Sequence, residues 1–326
     1  MAQKNNRNKK EDKEEKEFPT PQIFMNIKTD YGFKTVFGNK VLLIAFVNAL
    51  LILPEPIEDV EYLPLEQLGH SEKTRKAIYD VYVKTTNGQH FIIEMQIVEQ
   101  SYFIDRMLFY ASHSTISQAP KGKITITDAQ GKTVKKKWNY KIDGVYMITI
   151  LDFVMFKEDI AKDIIIEYVE MVRRIAKLVF TEKYQSVIIE LPKFTKTLEE
   201  LSDNVIEIWL YSIIHMEEMT SCPEVAAKDA VLKELYETAR LNKLTKEDME
   251  TYRKSVLEYD DVRSAMDCAE ERGRVEGRIE GRVEGRIEER NKFVNYLYNH
   301  KIMSLKQIAE FTGLTEKEVF EIIDTP

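Results

Sequence analysis

Phe33, Val36 and Phe37 fall three and four apart behind Thr29 and Asp30, either of which could cap a first helix; a second apolar stretch, residues 41–53, is closed by Pro54 and Pro56. Residues 76–98 change period. Apolar and polar positions alternate on both sides of Thr86-Asn87-Gly88, which predicts two antiparallel strands joined by a tight turn. Residues 101–118 return to helical spacing, and the uninterrupted apolar run at 145–151 suits a strand covered on both faces. Beyond it the spacing predicts an amphipathic helix over 163–180, a buried strand over 187–191, a helix over 198–219 and helix throughout 224–267. The expected fold is an α/β core with an all-helical C-terminal arm.

The length of the turn at Gly88 decides the chemistry. A two-residue Asn87-Gly88 loop would pair Asp80 with Met95 and set Asp80 and Glu94 on opposite faces. A three-residue loop, with Gly88 at positive φ, pairs Asp80 with Glu94. It gathers Ala77, Tyr79, Val81, Val83, Phe91, Ile93, Met95 and Ile97 on one face and leaves Asp80, Tyr82, Glu94 and Gln96 on the other. Burial of the apolar set favours this second register. Two carboxylates opposed across strands, roughly 5 Å apart at Cβ, repel unless a proton or cation lies between them. Mg²⁺ accepts such a pair together with a substrate phosphate and can activate a bound water. The competing reading is two solvated strand residues beside Lys76 and Lys84.

Composition narrows the classes further. The chain has 326 residues, 44% of them hydrophobic, and a net charge of -8; it can bury a core in one large or two small domains. The acidic total argues against a general nucleic-acid coat, although a carboxylate-held metal would reverse the sign locally. Residues 121–143 are the exception, with seven lysines against Asp128 and Asp143; Lys135, Lys136 and Lys137 could track a phosphate backbone, or the segment could be a solvated hairpin. No apolar run approaches the roughly 20 residues of a membrane helix, so no membrane partner is expected. Cys222 and Cys268 lack metal-ligand spacing and no signal-peptide order opens the chain, so a reduced, cytoplasmic protein is expected.

Taken together, Asp30-Tyr31-Gly32-Phe33-Lys34, Asp80-Val81-Tyr82-Val83, Phe91-Ile92-Ile93-Glu94-Met95-Gln96, Arg106 with Tyr110 and the late Glu-Gly repeats resemble the PD-(D/E)XK nuclease family transposases, also called recombination-promoting nucleases of the Rpn type. The resemblance covers roughly residues 25–290, and Ile93-Glu94-Met95-Gln96 is its most specific element. It implies a restriction-endonuclease-like mixed sheet flanked by helices and metal-dependent cleavage of DNA, with Mg²⁺ (or Mn²⁺ or Ca²⁺) as cofactor. By position it makes Asp80 and Glu94 metal ligands, adds the backbone carbonyl of Met95, and puts Gln96 where the superfamily carries lysine. Glutamine can orient water or phosphate but cannot supply a charge. Asp30 matches an early acidic position that can help hold the metal; its other reading is a helix cap. Lys34, Arg106 and Tyr110 are candidate DNA contacts, Arg106 and Tyr110 sharing a helix face. An arginine tying helix to strand fits Arg106 equally.

Four tetrapeptides, Gly273-Arg-Val-Glu to Gly285-Arg-Ile-Glu, form a true repeat. On a helix their four-residue spacing gives slowly drifting stripes of glycine, arginine, valine or isoleucine, and glutamate. Each interior glycine costs about 1 kcal/mol against alanine, so the stretch is either a self-association arm that makes a homo-oligomer or a flexible charged linker. Residues 304–323 have a helix-turn-helix pattern. With five cations and five acids over 290–326, they offer little phosphate affinity. The expected layout is a disordered tail at 1–17, a nuclease-like core at 18–220, a helical region at 221–272, a repeat helix at 273–289 and a helix-turn-helix-like tail at 290–326. A DNA endonuclease tied to recombination or mobile elements is the leading expectation, against a catalytically weak DNA-binding or assembly protein on the same fold.

Overall fold

Thr29, not Asp30, caps the first helix. Its hydroxyl accepts from the Gly32 N–H at 3.1 Å, which leaves Asp30 as the first residue of α1 (Asp30–Phe37). Gly32 is required by close approach, since a Cβ there would lie 2.1 Å from the Asn26 carbonyl oxygen. Asn39 caps α2 (Lys40–Leu50) by accepting from the Val41 and Leu42 N–H groups. The chain continues through β1 (Val60–Tyr62), β2 (Glu66–Gln67), β3 (Ala77–Ile78), β4 (Val81–Thr85), β5 (His90–Gln96), α3 (Phe103–Ser117), β6 (Ile124–Thr127), β7 (Thr133–Lys136), β8 (Val145–Leu151), β9 (Ile166–Arg173) and β10 (Leu178–Glu190). Helices follow: α4 (Val205–His215), α5 (Glu224–Ala227), α6 (Ala230–Thr238), α7 (Lys246–Asn299), α8 (Leu305–Thr312) and α9 (Glu316–Asp324). This computed structural model describes residues 22–51, 53, 55–67, 76–119, 124–127 and 133–324; the charged tail expected at 1–17 lies outside the described residues.

Six strands form one mixed sheet in the order β1-β4-β5-β8-β10-β9. β4 and β5 are antiparallel, β5, β8 and β10 run parallel, and β9 returns antiparallel at the edge. The step from β5 to its parallel neighbour β8 needs a crossover, and α3 lies within it. One face carries Val81, Val83, Phe91, Ile93, Ile148, Ile150, Val187 and Ile189 against the first two helices, α4 and α6. There Phe37, Phe46 and Trp209 pack ring against ring at 5.0 to 6.1 Å. The other face carries Tyr82, Ile92, Met147, Leu151 and Ile188 beneath Phe103, Met107 and Tyr110 of α3. Both faces are covered, so the near-continuous apolar text of β8 is what a central parallel strand requires.

Three expectations are corrected. Residues 163–180 are not a helix but the β9–β10 hairpin, turned at residues 174–177 with Lys177 at φ 55. Its isoleucines and valines, β-branched and costly to order in a helix, find ladder partners on β10 instead. Ala77 and Tyr79 do not share a face with Val81; they pack with the α3 side, because the chain breaks strand geometry between β3 and β4 and β3 pairs with β2. The stretch 224–267 is helical but interrupted. Asp229 recaps it for α6, and residues 23–25 hydrogen-bond to residues 239–241 just before α7. Among the described residues no single helix is long and apolar enough to cross a membrane.

The chain divides into two compact units after Val262. In the second, Val294, Leu297, Ile308, Ala309 and Val319 form a small core. Ser304 caps α8 in a reciprocal box with Gln307, Gly313 ends it at φ 71, and Thr315 and Glu318 repeat the box ahead of α9. The glycine repeat lies within α7, and a Cβ at Gly273, Gly277, Gly281 or Gly285 would meet nothing within 4 Å.

Candidate active site

The register of the β4–β5 hairpin runs from Val81 opposite Ile93 to Lys84 opposite His90. Thr85 N–H donates to the Gln89 carbonyl at 2.8 Å, and Gly88, at φ 88, donates back to Thr85 at 2.9 Å. This is the three-residue loop, and it brings Asp80 opposite Glu94. Asp80 is tied to β5 at two points: its N–H donates to Glu94 Oε1 at 3.2 Å, and its Oδ2 accepts from the Met95 N–H at 2.9 Å. Glu94 is 1% exposed. Glu94 is therefore not a solvated strand carboxylate, Asp80 is half-buried, and Lys76 is engaged elsewhere, with Glu66.

Burial raises both carboxyl groups above the ordinary range. Glu94 is pushed up to about 8, first by desolvation and then by the Asp80 charge, with Arg106 opposing. Asp80 is raised by desolvation; the Met95 N–H, Lys34 and Arg106 pull the other way, while Asp30 adds to the rise. The guanidinium of Arg106 is 3.3 Å from Glu94 Oε2, yet it does not outweigh burial. The site holds more carboxylate than its own cations neutralise, so a proton or a further cation relieves it.

Arg106 reaches from α3 to two residues of β5 and one of the segment that precedes the helix. Besides Glu94, it donates to Gln96 Oε1 at 3.3 Å and to Gln100 Oε1 at 2.9 Å. Tyr110, one turn on, is buried with its ring 5.0 Å below the guanidinium carbon. Tyr79 fixes that turn by donating to the Tyr110 carbonyl at 3.1 Å. Asp30 and Lys34 pair with each other at 2.7 Å, both partly exposed, and both act on the charge of Asp80. Lys135 and Lys136 sit on β7 opposite Thr125 and Ile124, and Lys137 is exposed just after it; Lys121, Lys123 and Lys132 lie outside the described residues.

Sequence reasoning missed Thr149. It lies on β8 in register with Glu94, fully buried, and its Oγ1 has no hydrogen-bond partner. Its signal was available, as the one small polar residue inside the apolar run 145–151. Asp152, at the end of the same strand, was also missed. Its N–H donates to the Gln96 carbonyl at 2.9 Å, while its carboxylate accepts from Tyr259 at 2.8 Å and lies 3.5 Å from Lys28 Nζ. That network anchors the strand end to the start of α7.

A mixed sheet between helices, with Glu94 buried on β5, Asp80 opposite it just before β4, and an arginine reaching over from the crossover helix, defines an α/β protein. A family model described as PD-(D/E)XK nuclease family transposase matches residues 27–269, and the chain belongs to that family. The match takes in the acidic pair, α3 and β8 and ends within α7. No curated protein and no solved structure matches the chain significantly.

Proposed function

We propose that the protein is a divalent-metal-dependent DNA endonuclease serving recombination or transposon-like mobility. The observation that carries this is the Asp80–Glu94 pair, Glu94 buried and Asp80 half-buried, joined through the Asp80 N–H and both raised above ordinary carboxyl values. Among the described residues no group of three or more His, Cys, Asp or Glu side chains is placed to hold a metal. Mg²⁺ does not require one, since it commonly keeps its waters and takes one or two carboxylates plus a substrate phosphate. The donor set therefore fits Mg²⁺, or Mn²⁺ or Ca²⁺: Asp80 and Glu94 as ligands, the Met95 carbonyl beside them, and Asp30 within electrostatic reach. When bound, the ion supplies charge for the phosphate and lowers the pKa of a water.

The chain's own residues do the rest. Water adds to phosphorus and gives up a proton to solvent, the phosphorus–oxygen ester bond breaks, and negative charge grows on the phosphoryl oxygens and on the leaving oxygen until solvent protonates the latter. Gln96 cannot supply a counter-charge, but Arg106, hydrogen-bonded to it, can; Tyr110 holds that guanidinium in place from below. The unpartnered Thr149 hydroxyl beside Glu94 is a hydrogen-bond partner for the attacking water. Lys34 and Lys135–Lys137 are the candidate phosphate-backbone contacts, and the glycine-repeat helix is the proposed homo-oligomer arm. Single-turnover cleavage of a labelled duplex by Arg106→Gln tests the assignment. A fall of about 10²-fold or more with unchanged Mg²⁺ affinity supports a charge aimed at the transition state. An unchanged rate would return Arg106 to a purely structural tie. Duplex binding without cleavage by the wild type would favour the DNA-binding reading that Gln96 invites.

A further inference from the structure

We propose that the distal half of the β9–β10 hairpin is a DNA-groove contact, separate from the cleavage site; this rests on the reading of the protein as acting on DNA. Every residue from 171 to 180 is exposed. Met171, Val172, Leu178, Val179 and Phe180 leave apolar surface on the ribbon, and Ile175 at its turn is 95% exposed. An uncovered apolar ribbon that includes a sheet edge is a liability for a free protein and marks a contact surface.

Charge selects the partner. Residues 171–181 contain Arg173, Arg174 and Lys177 and no acidic residue, in a chain of net charge -8. None of the three cations makes an ion pair among the described residues. Two such tips brought together in a symmetric dimer would crowd six cations. Phosphates on either side of a groove would neutralise them. A two-stranded ribbon is the width the major groove admits, and apolar side chains at its tip suit thymine methyl groups or a wedge between base steps.

The ribbon begins far from the acidic pair. Ile188 is in register with Thr149 and, through it, with Glu94. From that row to Lys177 the strand runs eleven residues, at most about 36 Å. A duplex lying along the ribbon would therefore reach both places within roughly 11 base pairs of the scissile bond.

The test is fluorescence anisotropy of a 30-base-pair duplex in EDTA between 50 and 200 mM salt. It compares the wild type with the triple variant Arg173→Ala, Arg174→Ala, Lys177→Ala and with Ile175→Ser, folding being checked by thermal melting and mass by sedimentation. Three phosphate contacts contribute a log–log salt slope of about 2.7, so over that range the wild type should lose about 40-fold more affinity than the triple variant. Ile175→Ser should weaken binding at every salt concentration with the slope retained. Equal slopes for wild type and triple variant would overturn the proposal and leave the nuclease reading standing. A wild-type dimer that becomes monomeric in the triple variant, with DNA binding unchanged, would overturn it in favour of a second copy of this chain. No wild-type binding would also overturn it; plasmid cleavage, measured separately, decides the nuclease reading.

Discussion

Replacing Glu94 by glutamine should stabilise the metal-free protein at neutral and alkaline pH. The amide oxygen keeps the bond from the Asp80 N–H at 3.2 Å, while the buried charge is removed. In the folded protein Glu94 titrates at about 8, against roughly 4.3 in an unfolded chain. Between these values the folded state binds the extra proton. The resulting stability is fully present below the unfolded value and is lost as pH rises through the folded one. At about 1.4 kcal/mol per pH unit the ceiling is roughly 5 kcal/mol. Relaxation and water entry reduce it, and about 2 kcal/mol is expected, or a melting shift of about 4 to 8 °C for a unit of this size. Thermal melts in EDTA from pH 5 to 9 should therefore fall with pH in the wild type and stay flatter in Glu94→Gln. Saturating Mg²⁺ should raise the wild type at pH 8 and leave the variant unmoved. Parallel curves for the two proteins in EDTA would refute the claim that burial, rather than the Arg106 pairing, governs Glu94.

Thr149→Val should slow cleavage about tenfold while leaving the metal-free fold as stable or up to about 1 kcal/mol more so, because a buried hydroxyl without a partner costs stability; a wild-type rate in single-turnover assays would remove Thr149 from the site. Replacing Gly273, Gly277, Gly281 and Gly285 by alanine should raise helix stability by about 1 kcal/mol per site, since the open space at each accepts a Cβ. If glycine faces bring two arms together, the same variant should lose oligomer mass in sedimentation; unchanged mass would count against that arm. Tyr110→Leu removes the ring 5.0 Å from Arg106 and should lower kcat more than it raises KM, an outcome that an equal change in both would contradict.

The acidic pair was legible because hairpin register is a discrete choice: a loop of two or three residues flips every side chain, and apolar alternation on β5 admits only one answer. Residues 145–151 were legible for a similar reason, as a central parallel strand has no polar face to confuse its pattern. Residues 163–180 were misread because the hairpin projects exposed apolar groups on both faces, so its strands show no clean alternation and a helical period fits by accident. Arg106 and Tyr110, four apart on one helix face, were legible as neighbours, whereas the place of Thr149 beside Glu94 depends on α3 crossing between β5 and β8. Glu94 and Thr149, 55 residues apart, come into register only through that crossover, which spacing along the chain does not encode.

Nicking and linearisation of supercoiled plasmid tests the central claim most directly, with Mg²⁺, Mn²⁺ or EDTA and with wild type, Asp80→Asn and Glu94→Gln side by side. Cleavage by the wild type that requires metal and is lost in both variants, each still folded, is the predicted result. Equal cleavage by all three proteins, or none by the folded wild type with any metal, would contradict it.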